Sequence, residues 1–257
     1  MLSYPASIPL STRSLVWLAE QIRAHRVTIR SRWRRLEPGR QALLVLAHLR
    51  CGDTYTRLAG GFAIGTSTVY RYLRESIDLI AAQAPTLEQV VRRAAALVWV
   101  VLDGTQIPID RVADQKPYYN GHKRRHTVNA QFLTDSRGRL LWTSPALPGS
   151  VHDLTAARRH GIPEALTRHA VAGLADKAYR AAGPTIAVPF KGKRLSANQK
   201  AVNRSIATAR ALGERGAAVL KCWKILTKLR CCPRRATPIL AAITVLQHVE
   251  ENRHQSR

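Results

Sequence analysis

The sequence predicts an α/β chain in two parts: an all-α domain over about residues 1–90 and a mixed-sheet domain over 95–257. Three observations carry this. From Ser14 to Gln83 apolar residues recur at helical spacing. The continuous β-branched run Leu97 to Leu102 then breaks that period, and two further apolar runs flank the turn Asp135 to Gly138. After Ser196 the helical period returns.

In the first part, Leu15, Leu18 and Ile22 form one stripe. Leu43, Leu44, Leu46, Ala47 and Leu49 form another after the Pro38-Gly39 break. Thr54 to Arg74 reads as a short helix, a glycine-containing turn and a second helix capped by Thr66 or Ser67, a helix-turn-helix pattern over about 54–76. Leu58, Ala59, Ile64, Val69, Tyr70 and Leu73 are its expected core. Ser67, Thr68, Arg71 and Arg74 are left to face a major groove. A plain helical hairpin is the competing reading.

In the second part, Leu97 to Leu102 predicts a strand buried on both faces and ending in Asp103-Gly104. Val128 to Leu133 and Arg139 to Ser144 predict a β-hairpin. Asp153 to His160 predicts a short helix, and Val171 to Ala175 and Ile186 to Phe190 two short strands. Ser196 caps a helix expected to reach Leu229, and Ala236 to Val249 is expected as a C-terminal helix packed on the sheet.

With 46% hydrophobic residues in 257, the chain can bury an ordinary core, which excludes a disordered tail. Lys plus Arg number 41 against 16 Asp plus Glu, a formal charge of +25. The cations run the whole length, so the folded surface suits a polyanion, and nucleic acid fits better than a small acidic metabolite. No run of about 18 apolar residues suggests a membrane span, and Met1 to Pro9 lacks the pattern of a leader. A cytoplasmic protein without a membrane partner is expected. Cys51, Cys222, Cys231 and Cys232 lack both a disulfide framework and metal-ligand spacing, and read as reduced thiols.

Acids are scarce enough in this chain that those at strand ends call for a reason. Asp103 follows the first buried run and precedes Gly104, and Asp176 repeats the arrangement in Leu174-Ala-Asp-Lys-Ala-Tyr179. If their strands are neighbours, the two carboxylates repel unless they share a cation. Asp153, in Gly149-Ser-Val-His-Asp-Leu154, reads equally as a helix cap and as a functional acid. Glu214 lies between Gly213 and Gly216, glycines that weaken a helix yet permit close backbone contact. Steps of four and seven residues turn a helix by about 400° and about 700°, so Arg210, Glu214 and Lys221 share nearly one face. That face is either a solvated ion-pair row or a phosphate-holding one. Four carboxylates gathered in a basic groove would suit two hard divalent cations and metal-assisted phosphoryl transfer.

These segments resemble bacterial insertion-sequence transposases of the DDE class, in the branch that includes insertion-sequence group five and is similar to PIF/Harbinger endonucleases. The resemblance spans nearly the whole chain. It is carried by Leu102-Asp-Gly-Thr105, by Lys116 to Lys123, by Gly149 to Leu154, by Ala175 to Tyr179 and by Arg210 with Glu214 and Lys221. A tyrosine common in such proteins three residues before the arginine is replaced by Ala207.

The resemblance implies an RNase H-like catalytic domain with Asp103 on strand one, Asp176 after strand four and Glu214 on a later helix. Asp153 is implied as a further metal-site acid. Which of Asp153 and Asp176 is the essential second ligand stays open, with the strand reading favouring Asp176.

Tyr118, Tyr119, Lys123, Arg124 and Arg125, in a long connection after strand one, combine aromatics with cations and are read as DNA contacts. Lys191-Gly-Lys-Arg194 has no aromatics and reads as surface charge. The expected protein is a Mg²⁺-dependent transposase, accepting Mn²⁺, that holds two ions. It would bind double-stranded element ends and target DNA as a homo-oligomer in the bacterial nucleoid. A metal-dependent nuclease without strand transfer and a non-catalytic transposase-derived DNA-binding protein are the rivals.

Overall fold

Two compact units make up the computed structural model. It describes residues 8–31, 34–110 and 114–251, with the side chains of Leu212 and Glu214 excepted. Met1 to Ser7, most of the stretch read as lacking a leader, therefore lies outside the described residues.

Helical stripes build the first unit, which holds the chain up to Ala84, residues 221–227 and the stretch from Pro238. Helix α1 (Thr12–Thr28) buries Leu18 and Ile22, and α2 (Pro38–Leu46) buries Ala42, Leu44, Val45 and Leu46. Thr54 caps α3 (Tyr55–Phe62) by accepting from the Arg57 amide at 3.3 Å. A left-handed Ala63, φ 53°, turns the chain into α4 (Thr66–Ala81). The cap expected at Thr66 or Ser67 is instead Gly65, whose extended backbone already leaves both residues inside the first turn. On α4, Val69, Tyr72, Leu73, Ser76, Ile77 and Ile80 are buried at three- and four-residue steps. Tyr70, expected in this core, lies one residue off that stripe and is 45% exposed. Tyr72 is buried in its stead, and its hydroxyl accepts from the Leu36 amide at 3.2 Å.

The second unit holds residues 85–220 and 228–237. Helix α5 (Leu87–Ala94), not anticipated, opens on a Thr86–Gln89 capping box. Strand β1 (Val100–Pro108) begins later than predicted, with Val98 80% exposed and, of the predicted run, only Val100 to Leu102 buried. Nor does it stop at Asp103-Gly104: antiparallel pairing to β3 continues to Pro108 opposite Thr127. Strand β2 (Tyr119–Asn120) folds onto the start of β3 (Arg125–Asp135). Strands β4 (Leu140–Thr143) and β5 (Leu147–Pro148) pair with β3 as well.

The predicted hairpin is present. Its turn is held by Asp135 Oδ1, which accepts from the amides of Arg137 and Arg139 at 2.9 and 2.8 Å. Helices α6 (Asp153–Arg159) and α7 (Ile162–Arg168) precede β6 (Gly173–Leu174) and β7 (Ile186–Ala187). Strand β6 runs parallel to β1, and β7 parallel to β6. Across the sheet the order is β2, β3, β1, β6, β7, with β4 and β5 also paired to β3: an antiparallel half joined to a parallel half, a mixed sheet.

Helix α8 (Ala197–Cys222) is capped by Ser196 in a reciprocal pair with Gln199. It stops short of the expected Leu229, whose amide instead bonds to the Pro108 carbonyl at 2.8 Å, with a bridge between Ile109 and Leu229. The expectation for the C-terminal helix is also corrected. From Pro238 onward α9 (Ala236–Glu251) belongs to the helical unit, not to the sheet. Ile239, Leu240, Ala242, Ile243 and Leu246 bury it, and Glu250 accepts hydrogen bonds from the hydroxyls of Ser11 and Ser14.

Candidate active site

Alternation along β1 places Val101 and Asp103 on one face of the sheet and Leu102 and Gly104 on the other. In the parallel pair, Val101 lies opposite Leu174. The chain stays extended beyond β6, with the Ala175 amide bonded to the Ala187 carbonyl at 3.0 Å and Asp176 at φ −79°, ψ −179°. Asp176 therefore follows Leu174 by two residues, as Asp103 follows Val101. Asp103 lies within β1, whereas Asp176 lies beyond the end of β6, where its Oδ1 accepts from the Ala178 amide at 2.8 Å.

Helix α8 crosses the same face at very short range. A Cβ at Gly213 would lie 2.7 Å from Val101 side-chain atoms, and one at Gly216 would lie 2.2 Å from Thr134 Cγ2. Val101 and Thr134 are partners across β1 and β3. The two glycines thus seat the helix backbone on the strand pair just below Asp103. Glu214 lies between them in the helix, and its carboxylate is outside the described residues.

Asp153 occupies the other face. The cap position of α6 is taken by His152, so Asp153, the first helical residue, is not the cap. Its Oδ1 instead accepts from Asn129 Nδ2 at 2.9 Å and Gln131 Nε2 at 3.2 Å. Gly104 is required there, since a Cβ would lie 2.5 Å from that same oxygen. The buried Tyr179 hydroxyl donates to Gln131 Oε1 at 2.5 Å. Gly149 makes the motif before Asp153 equally close-fitting: its Cβ would meet Thr127 Oγ1 at 2.1 Å.

Burial pushes the Asp103 carboxyl above its ordinary pKa. The Gly104 amide, donating to Oδ1 at 2.8 Å, and the Arg210 guanidinium oppose that shift, while Asp176 and Asp153 add to it. Burial, then Asp153, Asp103 and Asp176, raise the Tyr179 phenol well above its usual value, so it remains a donor. Arg210, half-buried on α8, is the cation facing this group, and its Nε has no partner among the described residues. Lys221, expected beside it, is exposed at the far end of α8 in the helical unit. Among the described residues no three His, Cys, Asp or Glu side chains form a group that could hold a metal ion. Asp103, Asp153 and Asp176 offer carboxylate oxygens, the donor type that suits Mg²⁺ or Mn²⁺.

Sequence reasoning missed Asn129, Gln131 and Tyr179 as site residues. A signal was present: Thr127, Asn129 and Gln131 alternate with Val128, Ala130 and Phe132 on a strand where all six are buried. Fully buried amides at a two-residue period need partners on one face.

In the helix-turn-helix, Ser67, Arg71 and Arg74 are exposed and Thr68 is half-buried. Arg74 donates to the exposed Tyr70 hydroxyl at 3.1 Å, which adds an aromatic to that surface. Beside it a 490 Å³ cavity is lined by Ser31, Arg34, Arg35, Thr68, Arg71 and Tyr72. The basic connection after strand one forms a hairpin: Tyr119 pairs with His126 and Asn120 with Arg125, and Lys123 and Arg124 lie exposed in the turn between. Tyr118 is half-buried, and the 46% exposed Tyr119 packs edge-on against the His126 ring at 5.5 Å.

A family model described as DDE superfamily endonuclease matches residues 102–248. A second, described as helix-turn-helix of DDE superfamily endonuclease, matches residues 34–86. The chain is similar to the probable transposase for insertion sequence element IS702 of Microchaete diplosiphon, 26% identical over 199 residues that cover 73% of this chain and 71% of that protein. No solved structure matches.

Proposed function

The chain belongs to the DDE superfamily endonucleases and carries their helix-turn-helix, and on that premise we propose that it is a DNA transposase that cuts element ends and joins them to target DNA. The finer placement, in the insertion-sequence group five branch similar to PIF/Harbinger endonucleases, belongs to the same proposal. The observation that supports the reading is that Asp103 and Asp176 each follow by two residues the parallel pair Val101 and Leu174, with α8, the helix that carries Glu214, seated against Val101 through Gly213. A buried carboxyl whose neighbours are also acids is poorly compensated by Arg210 alone, and a bound cation would complete the balance.

Asp103, Asp176, Glu214 and Asp153 are the residues that would hold a pair of Mg²⁺ ions, or Mn²⁺ in their place. When bound, such ions activate the attacking oxygen and stabilise the leaving one in an in-line displacement at phosphorus. Asp176 takes the second position of the acid triad, and Asp153 is an additional acid held from the face opposite Asp103. Arg210 holds the scissile phosphate, and Lys221 the backbone further along. Ser67, Thr68, Arg71 and Arg74 read the element end in the major groove, while Tyr118, Tyr119, Lys123, Arg124 and Arg125 contact DNA near the cut. Water attacks the phosphodiester at the element boundary, and the freed 3′-hydroxyl then attacks target DNA, so two ends are brought together by a homo-oligomer in the bacterial cytoplasm, on the nucleoid. Among the described residues no helix is long and apolar enough to cross a membrane.

The test uses element-end duplexes, both intact and precut, with the wild-type protein and Asp103→Asn. Wild type should cleave the first and join the second to a plasmid only with Mg²⁺ or Mn²⁺. Asp103→Asn should lose both reactions while keeping most DNA affinity, since it removes one acid from a strongly cationic surface. Cleavage without joined product would favour a nuclease. Metal-dependent cutting by Asp103→Asn would refute the assignment.

A further inference from the structure

The hydrogen bonds around Asp153 admit one arrangement of donors and acceptors. An ionised carboxylate only accepts, so the groups facing Asp153 Oδ1 are the NH₂ ends of Asn129 and Gln131, at 2.9 and 3.2 Å. The second proton on Asn129 Nδ2 goes to the Val151 carbonyl at 2.8 Å. The second on Gln131 Nε2 goes to Asn129 Oδ1 at 3.0 Å. That leaves Gln131 Oε1 as an acceptor, supplied by the Tyr179 hydroxyl at 2.5 Å. All four amide protons are used, and a flip of either amide would set an oxygen against the carboxylate.

Asn129 and Gln131 are fully buried and Tyr179 is 1% exposed, so water is a poor substitute for any missing partner. The chain of bonds begins in the apolar core that surrounds Tyr179, with Leu102, Leu133 and Ala157 among its members. It ends at the carboxylate that presses on the backbone of Gly104, next to Asp103.

We infer that Gln131, oriented by Tyr179, is a positioning residue that fixes Asp153 for metal binding, with Asn129 as the second arm of the clamp. This rests on the reading of Asp153 as a metal-site acid. Tyr179 and Gln131 themselves touch neither DNA nor metal. Outer partners of this kind set ligand orientation, and their loss weakens metal affinity by about 10- to 100-fold.

The experiment measures Mn²⁺ binding to the full chain by calorimetry, and in parallel the Mn²⁺ concentration giving half-maximal cleavage, the DNA affinity and the melting temperature. The variants are Tyr179→Phe, Gln131→Met and the double variant. Each single variant should bind Mn²⁺ about 10- to 100-fold more weakly and shift the half-maximal concentration by the same factor. DNA affinity should stay at the wild-type value, and saturating Mn²⁺ should restore most of the cleavage rate. The double variant should be no worse than Gln131→Met, because Tyr179 acts through Gln131.

Wild-type Mn²⁺ affinity in both single variants overturns the inference and leaves the proposed function standing, as does a loss that saturating metal does not repair. If the wild-type chain itself binds no Mn²⁺ and cuts no DNA, the proposed function fails and this inference with it. Should Gln131→Met not fold, Tyr179→Phe, which removes one hydroxyl, decides alone.

Discussion

Gly216→Ala isolates the contribution of α8 to the site. Its new Cβ would lie 2.2 Å from Thr134 Cγ2, whereas carbon atoms settle at about 3.5 Å, so helix and strand must part by about 1.3 Å locally. Alanine is a better helix former than glycine by about 1 kcal/mol, and overpacking costs about 1 to 3 kcal/mol. The two nearly offset, and net destabilisation should stay at or below about 2 kcal/mol. Catalysis has no such compensation. Glu214 lies two residues away on the displaced turn, and a misplacement of about 1 Å can cost about 10²-fold in rate.

The assay is single-turnover cleavage of an element-end duplex, with urea denaturation alongside. Gly216→Ala should lose about two orders of magnitude in rate with little loss of stability. Thr134→Ser removes the offending Cγ2 and leaves Thr134 Cβ and Phe132 Cε2 at an ordinary 3.5 Å, so the double variant Gly216→Ala/Thr134→Ser should recover most of the rate. Wild-type cleavage by Gly216→Ala, or no recovery in the double variant, would show that close seating of α8 does not position the third acid.

Two further outcomes are expected. Arg71→Ala should weaken binding to element ends by about 1 to 3 kcal/mol more than binding to random DNA, measured by fluorescence anisotropy, and an equal loss on both would make it a phosphate contact. Burial lowers the pKa of His48, with the Asp53 carbonyl at 2.8 Å partly opposing, so the unfolded chain takes up a proton first as pH falls below 6.5. Stability should therefore be fully present above that value and decline below it through the lower folded pKa. The decline should be smaller in His48→Gln, and an identical pH slope in the two proteins would discount His48 as its source.

The signals that the sequence carries for the candidate site are local. Asp103-Gly104 follows one apolar run and Asp176 another, and the residues two before them, Val101 and Leu174, pair on neighbouring parallel strands. Gly213 and Gly216 announced close contact for α8, although not with which strands. Tyr70 and Tyr72 show the limit of local reading. Both are aromatic and only two residues apart, and helix phase places one in the core and the other on the surface. Asp153 shows another: helix-start statistics suit a cap, while its actual partners lie 24 and 22 residues back on β3.

By itself the sequence determined a basic, two-part α/β chain whose Asp103 and Asp176 follow apolar runs, because charge, apolar period and glycine placement are properties of short segments. Only the tertiary structure decided that Asp103 lies on one face of β1 while Asp153 meets the other beside Gly104, held by Asn129 and by Gln131 with Tyr179 behind it. It also decided that α9 joins the helical unit. The physical reason is common to both: strand register and the pairing of buried polar groups are set by partners remote in the chain, and a two-residue period states which residues share a face without stating what will cover it.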